Sequence, residues 1–276
     1  MRTRTNTSLG GAIEPAASAD GSLAQHFSKL AHRYDALRIT DALPVEMVVT
    51  ALEQRPTVVA ADVGCGTGRY AISLMRAMGN RLSLHLVECN LRMIAQLRAN
   101  LAREGVRGCP IHRARAEELP AALKGADCLL AFNAVHHFDL SLFLREAVKT
   151  LRPGGLLFIY TRFRDQNRRG IWGQFFPGFA DREDRLYEEA AMRTAIDDTP
   201  GLTLCETSAL AFQRSATLEI LADRARSKHY STFSYYTAAE LEAAVELFQE
   251  RLTRQFGSGG AVEWVDENTM LMIEAS

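Results

Sequence analysis

Apolar residues between positions 57 and 162 fall into short continuous runs that alternate with amphipathic helical patterns. Such runs are typical of strands that are buried on both faces of a parallel sheet. The predicted strands are Val58 to Val63, Leu82 to Val87, Gly108 to Ala114, Ala126 to Phe132 and Leu156 to Arg162. The predicted helices between them cover residues 67 to 78, 90 to 103 and 139 to 151. This alternation predicts an α/β fold with a doubly wound, mostly parallel sheet.

The helix predicted over residues 139 to 151 carries signals at both ends. Asp139 can accept hydrogen bonds from the first turn, and the segment Arg152-Pro153-Gly154-Gly155 is expected to stop the helix. A second capping signal, Thr237-Ala-Ala-Glu240, predicts the start of a helix whose apolar stripe is Leu241, Val245, Phe248 and Leu252.

The regions on either side of this core differ in pattern. Residues 1–22 lack periodicity and are expected to form a mobile arm, whereas the spacing of Leu23, Phe27, Leu30, Ala31 and Tyr34 predicts a helix. Another helix is predicted after Pro44. Together these helices form a predicted N-terminal cap over residues 23–55.

Beyond the fifth strand, residues 163–200 combine four aromatic residues with many charges and are too long for a simple connection. We expect them to form an inserted lid. Strands from Leu202 to Phe212 and from Glu263 to Glu274 bring the sheet to seven strands, and a helix is predicted near residues 216 to 227. The prediction is therefore one domain over residues 23–276, with a cofactor-binding core at 56–162 and substrate-pocket segments at 163–200 and 213–240.

Charge and cysteine usage narrow the functional classes. With 32 Lys plus Arg against 33 Asp plus Glu, the net charge of −1 gives no general attraction to nucleic acid or to an anionic membrane. No apolar run approaches the length of a membrane span and no signal peptide is evident, so we expect a cytoplasmic protein without a membrane partner. The five cysteines are widely spaced and never form C-x-x-C, which predicts small core residues, neither a disulfide framework nor a metal site.

The segment Val58-Val-Ala-Ala-Asp62-Val-Gly64-Cys-Gly66-Thr-Gly68 is an apolar strand that runs into a glycine-rich turn. Glycines there permit unusual backbone dihedrals and the close approach of a ligand. A dinucleotide-binding turn would place a glycine at position 69, where this chain has Arg69. The segment instead resembles motif I of the class I S-adenosylmethionine-dependent methyltransferases.

Further segments carry the same resemblance in the same order. Glu88 ends the second strand, where the family keeps an acidic residue for the ribose hydroxyls, and Leu151-Arg-Pro-Gly-Gly155 looks like its turn before the fifth strand. Phe27, Ala31, Tyr34 and Asp35 look like the first helix of the ubiquinone- and menaquinone-type branch. The resemblance implies a Rossmann-like fold and S-adenosylmethionine as the cofactor. The cofactor-binding residues it implies are Asp62, Gly64, Cys65, Gly66, Gly68, Glu88, Cys89, Ala116, Glu117 and Asn133.

Two segments bear on the adenine and on the substrate. Arg115 stands where the family motif G-D-A-E-x-L-P has its Asp, which leaves adenine recognition to the Ala116 amide and to Glu117. Asn133-Ala-Val-His136-His137-Phe138 resembles the A-L-H-H-F of the small-molecule branch and not the N-P-P-Y of enzymes that methylate nucleic-acid amines. With the near-zero net charge, this argues against a nucleic-acid substrate.

The implied chemistry is a displacement at a carbon attached to sulfonium, for which alignment matters most. A general base is needed only for a protonated acceptor of low acidity, and His137 and His136 are the first candidates. Histidines at this place can also simply shape the turn. The resemblance puts Tyr34 over the methionine end of the cofactor, although Tyr34 also fits the role of a core aromatic residue.

A substrate pocket is predicted from residues outside the regular strands. Its predicted lining is Tyr160, Arg162, Trp172, Tyr230, Phe233, Tyr235 and Tyr236. We expect an enclosed, apolar and partly aromatic cavity for a small organic molecule. A basic cluster of Arg162, Arg164, Arg168 and Arg169 could bind a substrate carboxylate or simply lie on a solvated surface.

Methyl transfer to a small molecule is the leading hypothesis, and three alternatives stay open. The cofactor's amino-acid arm could cyclise to a four-membered ring amino acid with release of methylthioadenosine. The protein could also bind the cofactor as a non-catalytic sensor, or it could be a nicotinamide oxidoreductase. The sequence leaves both a monomer and a homodimer possible.

Overall fold

The computed structural model describes residues 39–276. Their seven strands form one sheet in the order β3-β2-β1-β4-β5-β7-β6. Strands β1 to β5 are parallel, and β7 runs antiparallel to both β5 and β6. The strands are β1 Val58–Val63, β2 Leu82–Val87, β3 Ile111–His112, β4 Ala126–Phe132, β5 Leu151–Thr161, β6 Leu202–Ala216 and β7 Val262–Ala275. This is the predicted doubly wound α/β fold.

Ten α-helices fall within the described part of the chain. They are α1 Ala42–Ala51, α2 Arg69–Met78, α3 Leu91–Arg103, α4 Leu140–Thr150, α5 Arg164–Arg169, α6 Ile171–Phe175, α7 Phe179–Arg182, α8 Glu189–Asp197, α9 Leu218–Arg226 and α10 Ala238–Phe256. Both predicted caps are confirmed: the side chain of Asp139 accepts from the Leu142 amide at 2.9 Å, and Thr237 and Glu240 form a reciprocal capping box. None of these helices is long and apolar enough to cross a bilayer.

Three groups of buried residues hold the layers together. On one face of the sheet, α1, α2 and α3 pack on β1, β2 and β4 through residues such as Val48, Leu74 and Leu97. On the other face, α4 and α8 pack through residues such as Phe143 and Ile196. A third group, which we term the aromatic core, joins α6, α7, α9 and α10. Its aromatic members are Trp172, Phe176, Phe179, Phe233, Tyr236 and Phe248.

Several element boundaries differ from the sequence predictions. Strand β3 has only two residues instead of Gly108 to Ala114, because it has one neighbour and because Pro110 has no amide hydrogen to donate to β2. Strand β5 begins at Leu151, five residues earlier than predicted. Arg152–Gly155 therefore form a bulge in that strand, where Asp127 binds Arg152 at 2.6 Å and Arg55 binds the Gly154 carbonyl at 2.6 Å.

The segment predicted as a lid, residues 163–200, divides into two parts. Helices α5 to α7 lie near the aromatic core, whereas α8 covers the sheet beside α4, with Met192 and Ile196 fully buried. The predicted helix after Pro44 is present as α1. The predicted arm at 1–22, the predicted helix that begins near Leu23 and the candidate residue Tyr34 lie outside the described residues.

The expectation that all five cysteines are core residues was wrong. Only Cys128 is buried, Cys65 and Cys109 are half-buried, and Cys89 and Cys205 are exposed. Cys89 lies two residues after the end of β2 and Cys205 lies on the edge strand β6, so both positions have open solvent on one side. All five are free thiols.

Candidate active site

The turn between β1 and α2 places the glycine-rich segment at the carboxyl ends of the parallel strands. Gly66 and Gly68 have left-handed backbone dihedrals, with φ of 56° and 86°. A Cβ on Gly68 would overlap Leu97 Cδ1, so a larger residue there would displace the Leu97 side chain of α3. A Cβ on Gly66 would meet no protein atom within 4 Å, because Gly66 faces a cavity.

This cavity has a volume of about 380 Å³ and crosses the carboxyl ends of β1, β2, β4 and β5. We term its two halves the cofactor half, beside the glycine-rich turn, and the acceptor half, beside α5 and residues 229–232. Ligands of doubly wound sheets bind at this edge, where the strand order reverses. The cofactor half includes nine of the ten predicted cofactor-binding residues: Asp62, Gly64, Cys65, Gly66, Glu88, Cys89, Ala116, Glu117 and Asn133. The exception is Gly68, which packs against Leu97 instead.

Two carboxyl groups in the cofactor half have unusual surroundings. Glu88 accepts hydrogen bonds from the amides of Gly66 at 3.0 Å and Asn90 at 2.8 Å. Burial raises the pKa of Glu88, although these amides act in the opposite direction. Burial, and then the neighbouring Glu88, raise the pKa of Asp62 to about 7. Asp62 is 1% exposed and its Oδ1 makes no hydrogen bond, so this oxygen can accept one from a ligand.

The turn after β3 is fixed by Glu117. Its Oε1 accepts a hydrogen bond from the Asp139 amide at 2.7 Å, and its Oε2 lies 3.2 Å from Arg115 Nε. Arg115, which stands in place of the family's Asp, therefore pairs with the neighbouring carboxylate. Ala116 between them is nearly buried and lines the cavity.

The segment after β4 carries the two candidate histidines. Asn133 adopts a left-handed conformation with φ of 51°, and its amide donates to the Tyr160 carbonyl at 2.7 Å. The chain then makes a short 3₁₀ turn, Val135–His137, which places His136 and His137 at the cavity with ring centroids 4.1 Å apart. The third candidate, Tyr34, lies outside the described residues.

Of the seven predicted pocket residues, four line the acceptor half: Tyr160, Arg162, Trp172 and Tyr230. The prediction was wrong for the other three. Phe233 is fully buried in the aromatic core, and Tyr236 donates to the Pro177 carbonyl at 2.7 Å. Tyr235 lies beside Arg185, whose guanidinium is 5.2 Å from the ring centroid. Residues 231–235 form a 3₁₀ turn, whose Phe233 packs in the aromatic core and whose Tyr235 lies beside Arg185, so neither lines the cavity.

The acceptor half has the predicted aromatic lining and also a charged wall that the prediction missed, formed by a network of two arginines and two aspartates. Arg214 lies 2.6 Å from Asp41 and 3.2 Å from Asp266, and Arg162 lies 3.2 Å from Asp266. Tyr160 donates to Asp41 at 3.1 Å, and burial raises the pKa of its hydroxyl. We term Asp41, Arg162, Arg214 and Asp266 the ion-pair network.

Sequence reasoning missed Asp41, Arg214 and Asp266. Asp41 immediately precedes α1, whereas Arg214 lies on β6 and Asp266 on β7, so no local spacing links them. Their charge did not single them out either, because β6 and β7 carry other charged residues such as Glu206 and Glu267. The predicted basic cluster is also absent as an anion site, because Arg162, Arg164, Arg168 and Arg169 each pair with an acidic side chain.

Comparison with known proteins identifies the core of the chain. Residues 60–155 match the family model of a methyltransferase domain. This part of the chain is therefore similar to methyltransferase domains. The matched segment contains the glycine-rich turn, Glu88, the turn that carries His136 and His137, and the start of β5. Asp62 Oδ1, the Glu88 carboxylate and the open space over Gly66 fit a ligand that presents donors and approaches the backbone closely.

The relatives of the methyltransferase domain have diverse names. The protein named probable tRNA methyltransferase 9B of Bos taurus is 31% identical over 123 residues, which are 42% of this chain and 24% of that protein. A ubiquinone biosynthesis O-methyltransferase of Parvibaculum lavamentivorans is 32% identical over 159 residues, 55% of this chain and 61% of that protein. The chain thus matches less than two thirds of either relative.

Solved structures share the fold at low identity. A protein of Anabaena variabilis, described as a methyltransferase from an antibiotic biosynthesis pathway, aligns with a TM-score of 0.64 at 17% identity over 87% of this chain and 99% of that chain. Geranyl diphosphate C-methyltransferase of Streptomyces coelicolor, solved with S-adenosylhomocysteine, aligns with a TM-score of 0.53 at 13% identity over 85% of this chain and 79% of that chain. The fold therefore extends beyond residues 60–155.

Proposed function

We propose that this protein is an S-adenosylmethionine-dependent methyltransferase that acts on a small organic molecule. The observation that carries the proposal is the cavity, which is continuous from the glycine-rich turn to the acceptor half. A cofactor at the turn and an acceptor beside α5 would meet at the carboxyl ends of β4 and β5. Such a meeting point suits in-line displacement at the sulfonium methyl group, a reaction governed by alignment.

The residues of the cofactor half would each have a simple task. Glu88 offers carboxylate oxygens to a diol, and Asp62 offers its unpartnered Oδ1 to a donor. Gly64, Cys65 and Gly66 supply backbone at the surface of the cavity, while Cys89, Ala116, Glu117 and Asn133 form its remaining wall. Bound S-adenosylmethionine supplies an electrophilic methyl group on a sulfonium.

His136 and His137 are the candidates for accepting a proton from the substrate, because both line the cavity after β4. Tyr160 is a poor base, since burial raises the pKa of its hydroxyl and Asp41 already binds it. Tyr160, Arg162, Trp172 and Tyr230 would instead shape the acceptor half. Replacement of each histidine by Gln would distinguish a base from a shaping residue through the pH profile of turnover.

Size favours a small substrate over a nucleic acid. Ligand pockets have volumes of roughly 300 to 1,000 Å³. The cavity of this protein has a volume of about 380 Å³ and must hold both the cofactor and the acceptor. The net charge of −1 also supplies no general attraction to a polyanion. We further propose that residues 23–276 act as one domain in the cytoplasm, a compartment that the five free thiols suit.

The test has two stages. Calorimetry with S-adenosylhomocysteine is expected to give micromolar binding, and NAD is expected to give none; the reverse result would overturn the proposal. Incubation with S-adenosylmethionine carrying a labelled methyl group and a panel of small acceptors is then expected to transfer the label. Release of methylthioadenosine from the cofactor alone would point to cyclisation, and tight binding without any turnover would point to a sensor.

A further inference from the structure

The charges around the acceptor half are unevenly compensated. The ion-pair network contains two guanidinium groups and two carboxylates, so it is neutral as a whole and its arginines are already engaged. Glu183, which also lines the cavity, is neutralised by Arg185 at 2.5 Å. The charge of each of these groups is already compensated by an oppositely charged side chain, so none of them favours a charged ligand.

Arg224 differs from the other arginines of the acceptor half. It lies on α9, is half-buried and lines the cavity, yet within residues 39–276 it forms no ion pair. Its neighbour on the same helix, Arg226, is exposed and binds Glu242 at 3.0 Å. A guanidinium that is partly removed from water without a counter-charge is a site for an anion, and its planar donor pair matches a carboxylate.

Asn167 on α5 provides a second, independent observation. The residue is 5% exposed, lines the cavity, and its Nδ2 makes no hydrogen bond. Leaving a buried donor without a partner is costly, and an oxygen atom of a ligand would remove that cost. The aromatic surface offers less, because the ring of Trp172 packs at 4.9 Å against both Phe248 and His229.

We propose that the methyl acceptor is a small carboxylic acid, with its carboxylate bound by Arg224 and a further oxygen bound by the Asn167 carboxamide. This inference rests on the proposed function. One uncompensated guanidinium balances a single negative charge, which favours a carboxylate over a doubly charged phosphate. The acid must be small because it shares the cavity with the cofactor.

The experiment uses the full-length protein saturated with S-adenosylhomocysteine, with binding of that nucleoside measured first. Ligand-observed NMR then gives dissociation constants for glycolate, benzoate and 4-hydroxybenzoate, each compared with its primary amide and with phenyl phosphate. We expect the best acid to bind at least about tenfold more tightly than its amide. Equal affinity of acid and amide, tighter binding of phenyl phosphate, or no binding of any acid would overturn the substrate class. Failure of the nucleoside to bind would instead overturn the proposed function.

Variants separate the two contacts. Arg224→Gln is expected to abolish the preference for acids over amides, whereas the matched change Arg226→Gln on the same helix is expected to keep it. Asn167→Leu is expected to weaken 4-hydroxybenzoate and its amide alike, by about three- to tenfold, because both carry the further oxygen that Asn167 binds. All three variants should bind S-adenosylhomocysteine like the wild type, which shows that they are folded. An unchanged preference in Arg224→Gln would refute the assignment.

Discussion

The carboxylate of Glu88 accepts a hydrogen bond from the backbone amide of Gly66 at 3.0 Å, which joins the end of β2 to the middle of the glycine-rich turn. The turn and the acidic residue are thus one unit rather than two separate contacts. Glu88 also accepts from the Asn90 amide, so one of its oxygens holds the turn and the other holds the start of α3. The carboxylate is fixed before any ligand arrives, which lowers the cost of binding.

Replacing Glu88 with Ala is expected to weaken binding of S-adenosylhomocysteine by about 1 to 3 kcal/mol, the usual loss for a charge-assisted hydrogen bond. Calorimetry measures the change. Glu53→Ala, an exposed carboxylate away from the cavity, is the matched control and should bind normally. An unaltered dissociation constant in Glu88→Ala would remove this residue from the cofactor site.

The stability of the ligand-free protein is expected to depend on pH through Asp62. Its folded pKa of about 7 lies above the ordinary aspartate value of 3.8, so the folded state holds this proton more tightly than the unfolded chain. The contribution is fully present below pH ~4 and is lost as pH rises through ~7. Asp62→Asn should therefore be roughly 2 to 4 kcal/mol more stable than wild type at pH 8, and no more stable at pH 4. Urea unfolding at several pH values checks this; parallel curves for the two proteins would contradict it.

Gly66 and Gly68 are expected to fail in different ways when changed to Ala. Gly68→Ala forces a contact with Leu97 and should cost about 2 to 4 kcal/mol of folding free energy. Gly66→Ala has free space and should cost only about 1 to 2 kcal/mol from its left-handed backbone. Its methyl group would enter the cavity, so its affinity for S-adenosylhomocysteine should fall by at least about tenfold. Thermal unfolding and calorimetry separate these effects, and the opposite pattern would place the cofactor elsewhere.

Asp41 is expected to be a stabilising residue despite its distance in sequence from its partners. Asp41→Asn removes one carboxylate from the ion-pair network and leaves Arg214 with Asp266 alone, which should cost about 2 to 4 kcal/mol. Asp165→Asn is the comparison, because the Asp165–Arg168 pair is exposed and contributes roughly 0.5 kcal/mol at most. Denaturant unfolding of the two variants gives the difference; equal stabilities would show that the network contributes nothing.

The sheet was predictable from the sequence wherever burial dictated the pattern. Strands β1, β2 and β4 begin and end at the predicted residues, because each is covered on both faces and is mostly apolar. Strand β3 was overestimated, since a sheet edge with a proline loses its hydrogen bonds whatever the apolar content. Helix α8 was assigned to a lid because the sequence does not tell which surface an amphipathic helix will cover.

The candidate site was predictable in its cofactor half and much less so in its acceptor half. The glycine-rich turn and Glu88 belong to contiguous motifs, so their residues meet by local geometry. The acceptor half is assembled from α1, α5, β5, β6, α9 and β7, and only the folded chain brings them together. The many aromatic residues near Phe233 and Tyr236 led to the wrong prediction that these two line the pocket. The composition of a segment does not give the direction of each side chain.

Both tryptophans of the chain, Trp172 and Trp264, line the cavity. Trp264 donates to Asp266 of the ion-pair network at 3.1 Å, and Trp172 lies between Phe248 and His229. The intrinsic fluorescence of this protein therefore originates at the acceptor half. Entry of a molecule into the cavity is therefore expected to change the tryptophan fluorescence, which can be measured without a label.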